Sequence, residues 1–231
     1  IEAHGRFMLP GLIDGHMHIE SGMLTPAEFA AAVIPHGTTT MFTDPHEIAN
    51  VLGLAGVRMM HDEALMQPVS IFTQMPSCAP SAPGLETIGE MMNFPGVIAG
   101  DPKMLAEIAA TQDARKTVGG HYASPDKGAP FRAYLAGGPA DDHEGTREED
   151  AIARVRNGMR SMMRLGSAWY DVKTQITAVT EKGLDPRNFI LCTDDRFAAT
   201  LVEEGHIDHV VRYAIAQGLK PVTAIQMASL N

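Results

Sequence analysis

Short apolar runs alternate with segments of helical period along almost the whole chain of 231 residues. The apolar runs fall at 11–18, 38–43, 69–75, 88–92, 117–121, 140–144, 161–165 and 189–193. Between most of them lie stretches such as PAEFAAAVIPHG, PKMLAEIAATQ, EEDAIARVRNG and HIDHVVRYAIAQG, in which apolar residues recur at helical spacing. The last three end near polar or glycine stops. Repeated strand–helix alternation predicts an α/β fold with a parallel sheet, and eight such units close a (β/α)8 TIM-like barrel.

One connection departs from the pattern. Between Met75 and Ile88 the chain reads PSCAPSAPGLET, rich in proline and without helical period. A right-handed parallel crossover needs a dozen or more residues and usually a helix. Part of the link between the third and fourth strands is therefore expected to be missing from this sequence.

Composition narrows the function classes. A hydrophobic share of 45% supports a substantial core, and no apolar run approaches the ~20 residues that cross a bilayer. The opening IEAHGRFMLPG has neither the basic nor the apolar region of a secretory signal, so a soluble protein is expected. A formal charge of −10 argues against a nucleic-acid partner, which calls for a basic footprint. Cys78 and Cys192 are the only cysteines, a count that suits a reducing cytoplasm and gives no disulfide framework. The 15 methionines read mostly as core filler, with Met91–Met92 and Met162–Met163 as candidates for a pocket wall.

Ionisable residues gather at the ends of the expected strands. His16 and His18 close the first, on one face because residues two apart in a strand project to the same side. Asp44, His46 and Glu47 follow the second, and Glu90 lies in the fourth. His121 ends the fifth, His143 and Glu144 the sixth, and Asp194 and Asp195 the eighth. Barrel active sites form at the C-terminal strand ends, so one layout brings these residues to one mouth. The clustering points to a metal site.

The segments PGLIDGHMHIESGMLTPAEFA, PHGTTTMFTDPHEIANVLG, GEMMNFPGVIAGDP, DDHEGT, LCTDDR and EEGHIDHVVRYAIAQG each resemble motifs of the amidohydrolase superfamily, in family order. Within it, DPHEIANVLG, EMMNFPGV and CTDDR resemble the adenine deaminases. The resemblance implies one catalytic barrel over 1–231, incomplete relative to its parent. It lacks the family's small flanking β-sandwich and part of the link between strands three and four. It implies hydrolytic deamination of adenine to hypoxanthine and ammonia in purine salvage, by a homo-oligomer acting on a small purine base. It also implies two divalent ions, with His16, His18, Glu90, His121, His143 and Asp194 as ligands and Glu90 as the bridge. Mixed imidazole and carboxylate ligands suit Zn²⁺, Mn²⁺ or Fe²⁺, and the resemblance favours iron or manganese. A water between two such ions is a hydroxide near neutral pH and serves as nucleophile. Asp194 is then placed to shuttle protons, and Glu144 to protonate a ring nitrogen.

Other residues carry plainer alternatives. His46 and Glu47, with Asp44, either line the pocket or hold a further metal, while a proline-punctuated turn equally favours Asp and His for local hydrogen bonds. Glu20 and Ser21 are candidate purine contacts against a solvated loop. Asp195 is expected to point away from Asp194 and to pair with Arg196. His206 and His209 read as one polar helix face, and Trp169 and Cys192 as packing. Two other functions compete: a cyclic amide hydrolase of the dihydropyrimidinase or dihydroorotase type, and a non-catalytic metal-binding scaffold. The former commonly carries a carboxylated lysine on strand four, where this chain has Glu90.

Overall fold

The computed structural model describes residues 4–77 and 88–231. The strands are β1 (Leu12–His18), β2 (Thr38–Thr43), β3 (Ser70–Thr73), β4 (Ile88–Met91), β5 (Val118–Gly120), β6 (Asp141–Asp142), β7 (Arg160–Arg164), β8 (Phe189–Cys192) and β9 (Asp194–Asp195). All of their pairings are parallel. They form sheets of order β3-β2-β1-β9, β4-β5 and β6-β7-β8. Single backbone bonds join the sheets: Gly89 N–H donates to Met75 O at 3.0 Å, and Ala140 N–H to Val118 O at 2.9 Å. β9 continues β8 beyond Thr193 and sets Asp194 opposite Met17 of β1. The last strand thus lies beside the first, and the α/β arrangement of parallel strands fits a TIM-like barrel.

The helices are α1 (Pro26–Val33), α2 (His46–Leu52), α3 (Leu54–Ala64), α4 (Phe94–Ala99), α5 (Pro102–Asp113), α6 (Ala129–Gly137), α7 (Glu148–Arg156), α8 (Val172–Gln175), α9 (Thr177–Thr180), α10 (Ala198–Glu203), α11 (Ile207–Ala216) and α12 (Pro221–Met227). Their starts are chemically marked. Asp101 accepts the Lys103 N–H at 2.8 Å and precedes Pro102 at the first position of α5; Glu28 accepts the Thr25 N–H at 3.1 Å at the start of α1. α11 buries Ile207, Val210, Val211 and Ala214 on one stripe. That stripe shares a core cluster with Met163, Phe189 and Leu191 of β7 and β8. A second cluster joins Met17 and Met41 to Phe29 and Met60, and a third joins Met91 and Val118 to Phe131 and Tyr134. The apolar layer therefore lies between strands and helices, leaving the strand ends to polar residues.

Three differences from the sequence reading have physical causes. His46 and Glu47, for which a proline-punctuated turn is one alternative, open helix α2; Pro45 stands at its N-cap, where a missing N–H costs nothing, and Gly53 (φ 59°) ends it. β6 covers only Asp141–Asp142, so His143 and Glu144 follow it on irregular chain. The eighth strand breaks at Thr193, and Asp194 takes a left-handed φ of 60°. The link expected to be shortened lies mostly outside the described residues, as does Cys78. Among the described residues no helix is long and apolar enough to cross a membrane.

Candidate metal centre and pocket

The strand ends bring six of the expected residues together. His16, His18 and Asp194 each offer a ligand atom, all within 4.8 Å of one another, and so do His16, Glu90 and His143. Glu90 sits at the centre. Its Oε1 lies 3.9 Å from His18 Nε2, and its Oε2 lies 3.2 Å from His143 Nε2 and 2.5 Å from His121 Nδ1. His18 Nε2 also stands 3.4 Å from Asp194 Oδ1. His18 Nδ1 donates to the carbonyl of Asp44 at 2.7 Å. A carbonyl only accepts, so this bond fixes the ring and turns Nε2 toward the carboxylates.

Charge balance in the cluster is tight. Burial alone would push the Glu90 carboxyl up, but hydrogen bonds from His121, His143 and His46 hold it well below its usual range. Asp194 is likewise pushed up by burial and brought far down by the bond from His18 and by the charges of His143 and His16. Against the desolvation that opposes charge, Asp194 and Glu90 raise His18 to about 10, and Glu90 raises His143 to about 9. Burial and the neighbouring His143 and His18 instead lower His16. His16 stacks on His143 with centroids 3.9 Å apart, and its buried Nε2 has no hydrogen-bond partner. A buried imidazole nitrogen left unpaired among carboxylates and further imidazoles is the donor chemistry of a transition-metal site. The residues present fit such ions.

The other candidates divide. His46 Nδ1 lies 3.0 Å from Glu90 Oε1, and its Nε2 lies 3.6 Å from Glu47. His18, His46 and Glu47 form a further group of possible ligands, as do Asp44, His46 and Glu90. Glu144 lies 3.5 Å from His143 Nε2 and 3.9 Å from His121 Nδ1. Glu20 and Ser21 stand behind the pocket wall rather than in it. Glu20 accepts the Ile48 N–H at 3.4 Å, and burial with the nearby Glu47 raises it to about 7; Ser21 Oγ donates to Asp195.

Several expectations are overturned. Asp195 does not pair with Arg196; it accepts from Ser21 and from the Trp169 indole N–H at 3.3 Å, and it lines the same pocket as Asp194. The break at Thr193 and the left-handed turn at Asp194 cancel the strand alternation that would have separated the two aspartates. Arg196 reaches Glu204 at 3.1 Å instead. Trp169 is not packing: it is 38% exposed and borders the pocket. His206 and His209 share no polar face. His206 is fully buried, with Nδ1 2.9 Å from Thr38 Oγ1 and Nε2 3.1 Å from Asp14 Oδ2, whereas His209 is half-buried. Cys192 is buried as expected, and Met92 lines the pocket while Met91 sits in the core.

Sequence reasoning missed Arg164. This buried side chain at the end of β7 reaches Asp194 Oδ2 at 2.8 Å, Glu144 Oε1 at 2.5 Å and Asp171 Oδ2 at 2.9 Å. One basic residue closing the apolar run SMMRL was its only signal. Asp14 was missed as well. It accepts the Thr193 N–H at 3.1 Å and the Thr193 hydroxyl at 2.5 Å, pinning the chain directly before Asp194. The pocket above these residues measures about 150 Å³ and opens over His18, Glu90, His121, His143 and Asp194, with Arg164 and Trp169 in its wall.

Residues 7–160 match the amidohydrolase family. The chain is 77% identical to an adenine deaminase of Ruegeria pomeroyi, 68% to one of Paracoccus denitrificans and 47% to one of Moorella thermoacetica. Each alignment takes in 100% of this chain but 42% of the relative, so the chain spans about two fifths of the length of these proteins. The alignments run over 252 positions against 231 residues here, which leaves internal positions of the relatives without a counterpart.

Proposed function

Because the chain belongs to the amidohydrolase family, we propose that its protein hydrolyses adenine to hypoxanthine and ammonia, and that residues 1–231 supply an eight-stranded catalytic barrel. The adenine deaminase relatives at 66–77% identity support the substrate. The convergence of His16, His18, Glu90, His121, His143 and Asp194 carries the reaction class. His16, His18 and Asp194 would hold one divalent ion, His121 and His143 the other, and Glu90 stands between the two groups. Bound there, Mn²⁺, Fe²⁺ or Zn²⁺ supplies Lewis acidity, making water nucleophilic near neutral pH.

The chain's own residues do the rest. Asp194, held ionised by His18 and Arg164, accepts a proton from the attacking water and hands it to the departing amino nitrogen. Glu144, 2.5 Å from Arg164 Nη1, is the carboxylate proposed to relay the second proton of the attacking water from the C6 oxygen to a ring nitrogen. His46 and Glu47 flank the opening and contact the purine, whereas Glu20 and Ser21 act from behind the wall. The assignment carries with it a homo-oligomer of the cytoplasm serving purine salvage, with no nucleic-acid or membrane partner. Glu90, in place of a strand-four lysine, weighs against the cyclic amide hydrolases.

The test is ammonia release from adenine, adenosine, cytosine and hydantoin by metal-loaded protein. Turnover of adenine alone supports the reading. Ring opening of hydantoin replaces it, and no turnover of any of the four leaves a binding scaffold.

A further inference from the structure

Trp169 is the only tryptophan of the chain, and its placement is unusual for a packing residue. It follows β7 on a loop pressed against β9: Ser167 N–H donates to Asp195 O at 2.8 Å, Ser167 Oγ meets Thr200 Oγ1 at 2.7 Å, and Gly166 N–H returns to Trp169 O at 3.1 Å. The approach is close enough to require glycine at 166, where a Cβ would stand 2.4 Å from Asp195 O and 2.6 Å from Thr193 O. The loop is therefore fixed to the chain that carries Asp194 and Asp195.

The indole is fixed in turn. The Arg164 guanidinium lies 4.5 Å from the ring centroid, and Asp195, itself bonded to Ser21, accepts the indole N–H at 3.3 Å. A cation over one ring face, with the indole N–H tied at the edge, defines the plane of the ring. Among the described residues no other ring or cation stacks on Trp169. The side chain remains 38% exposed at the wall of the pocket that holds the candidate metal ligands. Leaving a large, rigid aromatic surface open to a polar pocket forgoes hydrophobic burial, while flat π-faces recognise planar heterocycles by stacking.

We propose that Trp169 is the stacking platform for a planar heteroaromatic substrate, and that Asp195, braced by Ser21, is the positioning residue that sets the plane of the indole. The inference rests on the reading of the pocket as a nucleobase site, but it concerns ring recognition and not the deamination step. It adds a specificity element: planar bases are retained, and non-planar rings of similar polarity are not.

The experiment follows tryptophan emission of the metal-loaded protein during titration with adenine, cytosine and the non-planar dihydrouracil, with Trp169→Phe as the blank for any other fluorophore. Steady-state kinetics of Trp169→Leu and Trp169→Phe run beside it, with thermal melts to establish folding. The expected result is saturable quenching by a planar base that disappears in Trp169→Phe. KM should rise roughly ten- to hundred-fold in Trp169→Leu, the loss that corresponds to one base–aromatic stack. Phenylalanine should restore most of it, with kcat changed far less than KM. Quenching by cytosine without adenine turnover would keep the platform and remove adenine as substrate. Adenine turnover with neither quenching nor a KM change in Trp169→Leu would remove the platform and keep the deaminase. If Trp169→Leu fails to fold, the wild-type titration decides: saturable binding measured by calorimetry with unchanged emission overturns the proposal.

Discussion

Arg164 and Asp194 are joined at 2.8 Å inside the protein, and the same guanidinium holds Glu144 and Asp171. One guanidinium thus faces three carboxylates, two of which, Glu144 and Asp194, line the pocket. Arg164→Met leaves those charges without it, and removing one partner of a buried pair typically costs 3–5 kcal/mol. We expect a large fall in the denaturant midpoint and loss of turnover together. Arg164→Lys restores the charge but not the forked geometry, and should recover stability more than kcat. Parallel denaturation and kinetics check this; near-normal stability in Arg164→Met would show that the carboxylates are balanced otherwise.

Glu90 and Asp194 should fail differently. Glu90→Gln removes the carboxylate shared by four imidazoles, so bound metal and activity should fall together. Asp194→Asn keeps Glu90 and the histidines, retaining most of the metal while kcat drops by ~10² to 10⁴-fold, the usual contribution of general acid–base catalysis. Elemental analysis beside kcat for adenine separates the roles. Equal metal loss in both variants would make Asp194 mainly a ligand.

His206 and His209, three residues apart, should respond oppositely to alanine. His206→Ala strips the buried Thr38 hydroxyl of its hydrogen-bond partner, at a cost of about 1–3 kcal/mol. His209→Ala, at a half-buried position, should stay within about 0.5 kcal/mol. Thermal melts of the two variants side by side decide it, and equal shifts would contradict the buried network.

Asp150 sets an acid limit. Burial pushes its carboxyl up, but hydrogen bonds from Arg147 and Lys127 bring it from 3.8 down to about 2. A carboxylate depressed by folding adds stability above its unfolded pKa and loses it as the pH falls through the folded value. The contribution is therefore full above about pH 4 and gone below about 2. Asp150→Asn should be less stable than wild type at pH 7, with the gap closing across that window in acid titrations followed by circular dichroism. A gap independent of pH would mean that the asparagine loss is steric.

Much of the architecture was legible because strand–helix alternation survives in the apolar pattern. The residues at 16, 18, 90, 121, 143 and 194 could be gathered because strand ends of a parallel sheet share one side. Asp195 could not be placed, since period-two reasoning assumes an unbroken strand and the turn at Asp194 reverses its side. Beyond closing an apolar run, Arg164 carries no local signal in the sequence, and only the three carboxylates brought to it by other elements account for its burial. His206 looks like a surface histidine until Asp14 and Thr38, both remote in sequence, are seen against it. In each case the missing information was tertiary, supplied by partners that local patterns do not encode.

The pairing of Met17 with Asp194, braced by the Asp14–Thr193 bond across 179 residues, bears on the order of assembly. Closing so long a loop carries a large entropy that no local contact offsets early, and contacts of this separation form late in folding. During synthesis, Asp194 emerges only after the strands that lie between it and the His16–His18 pair. The histidine pair is therefore without its aspartate while the intervening strands β2 to β8 are made. Completion of the cluster then depends on the assembly of these strands and cannot be its seed.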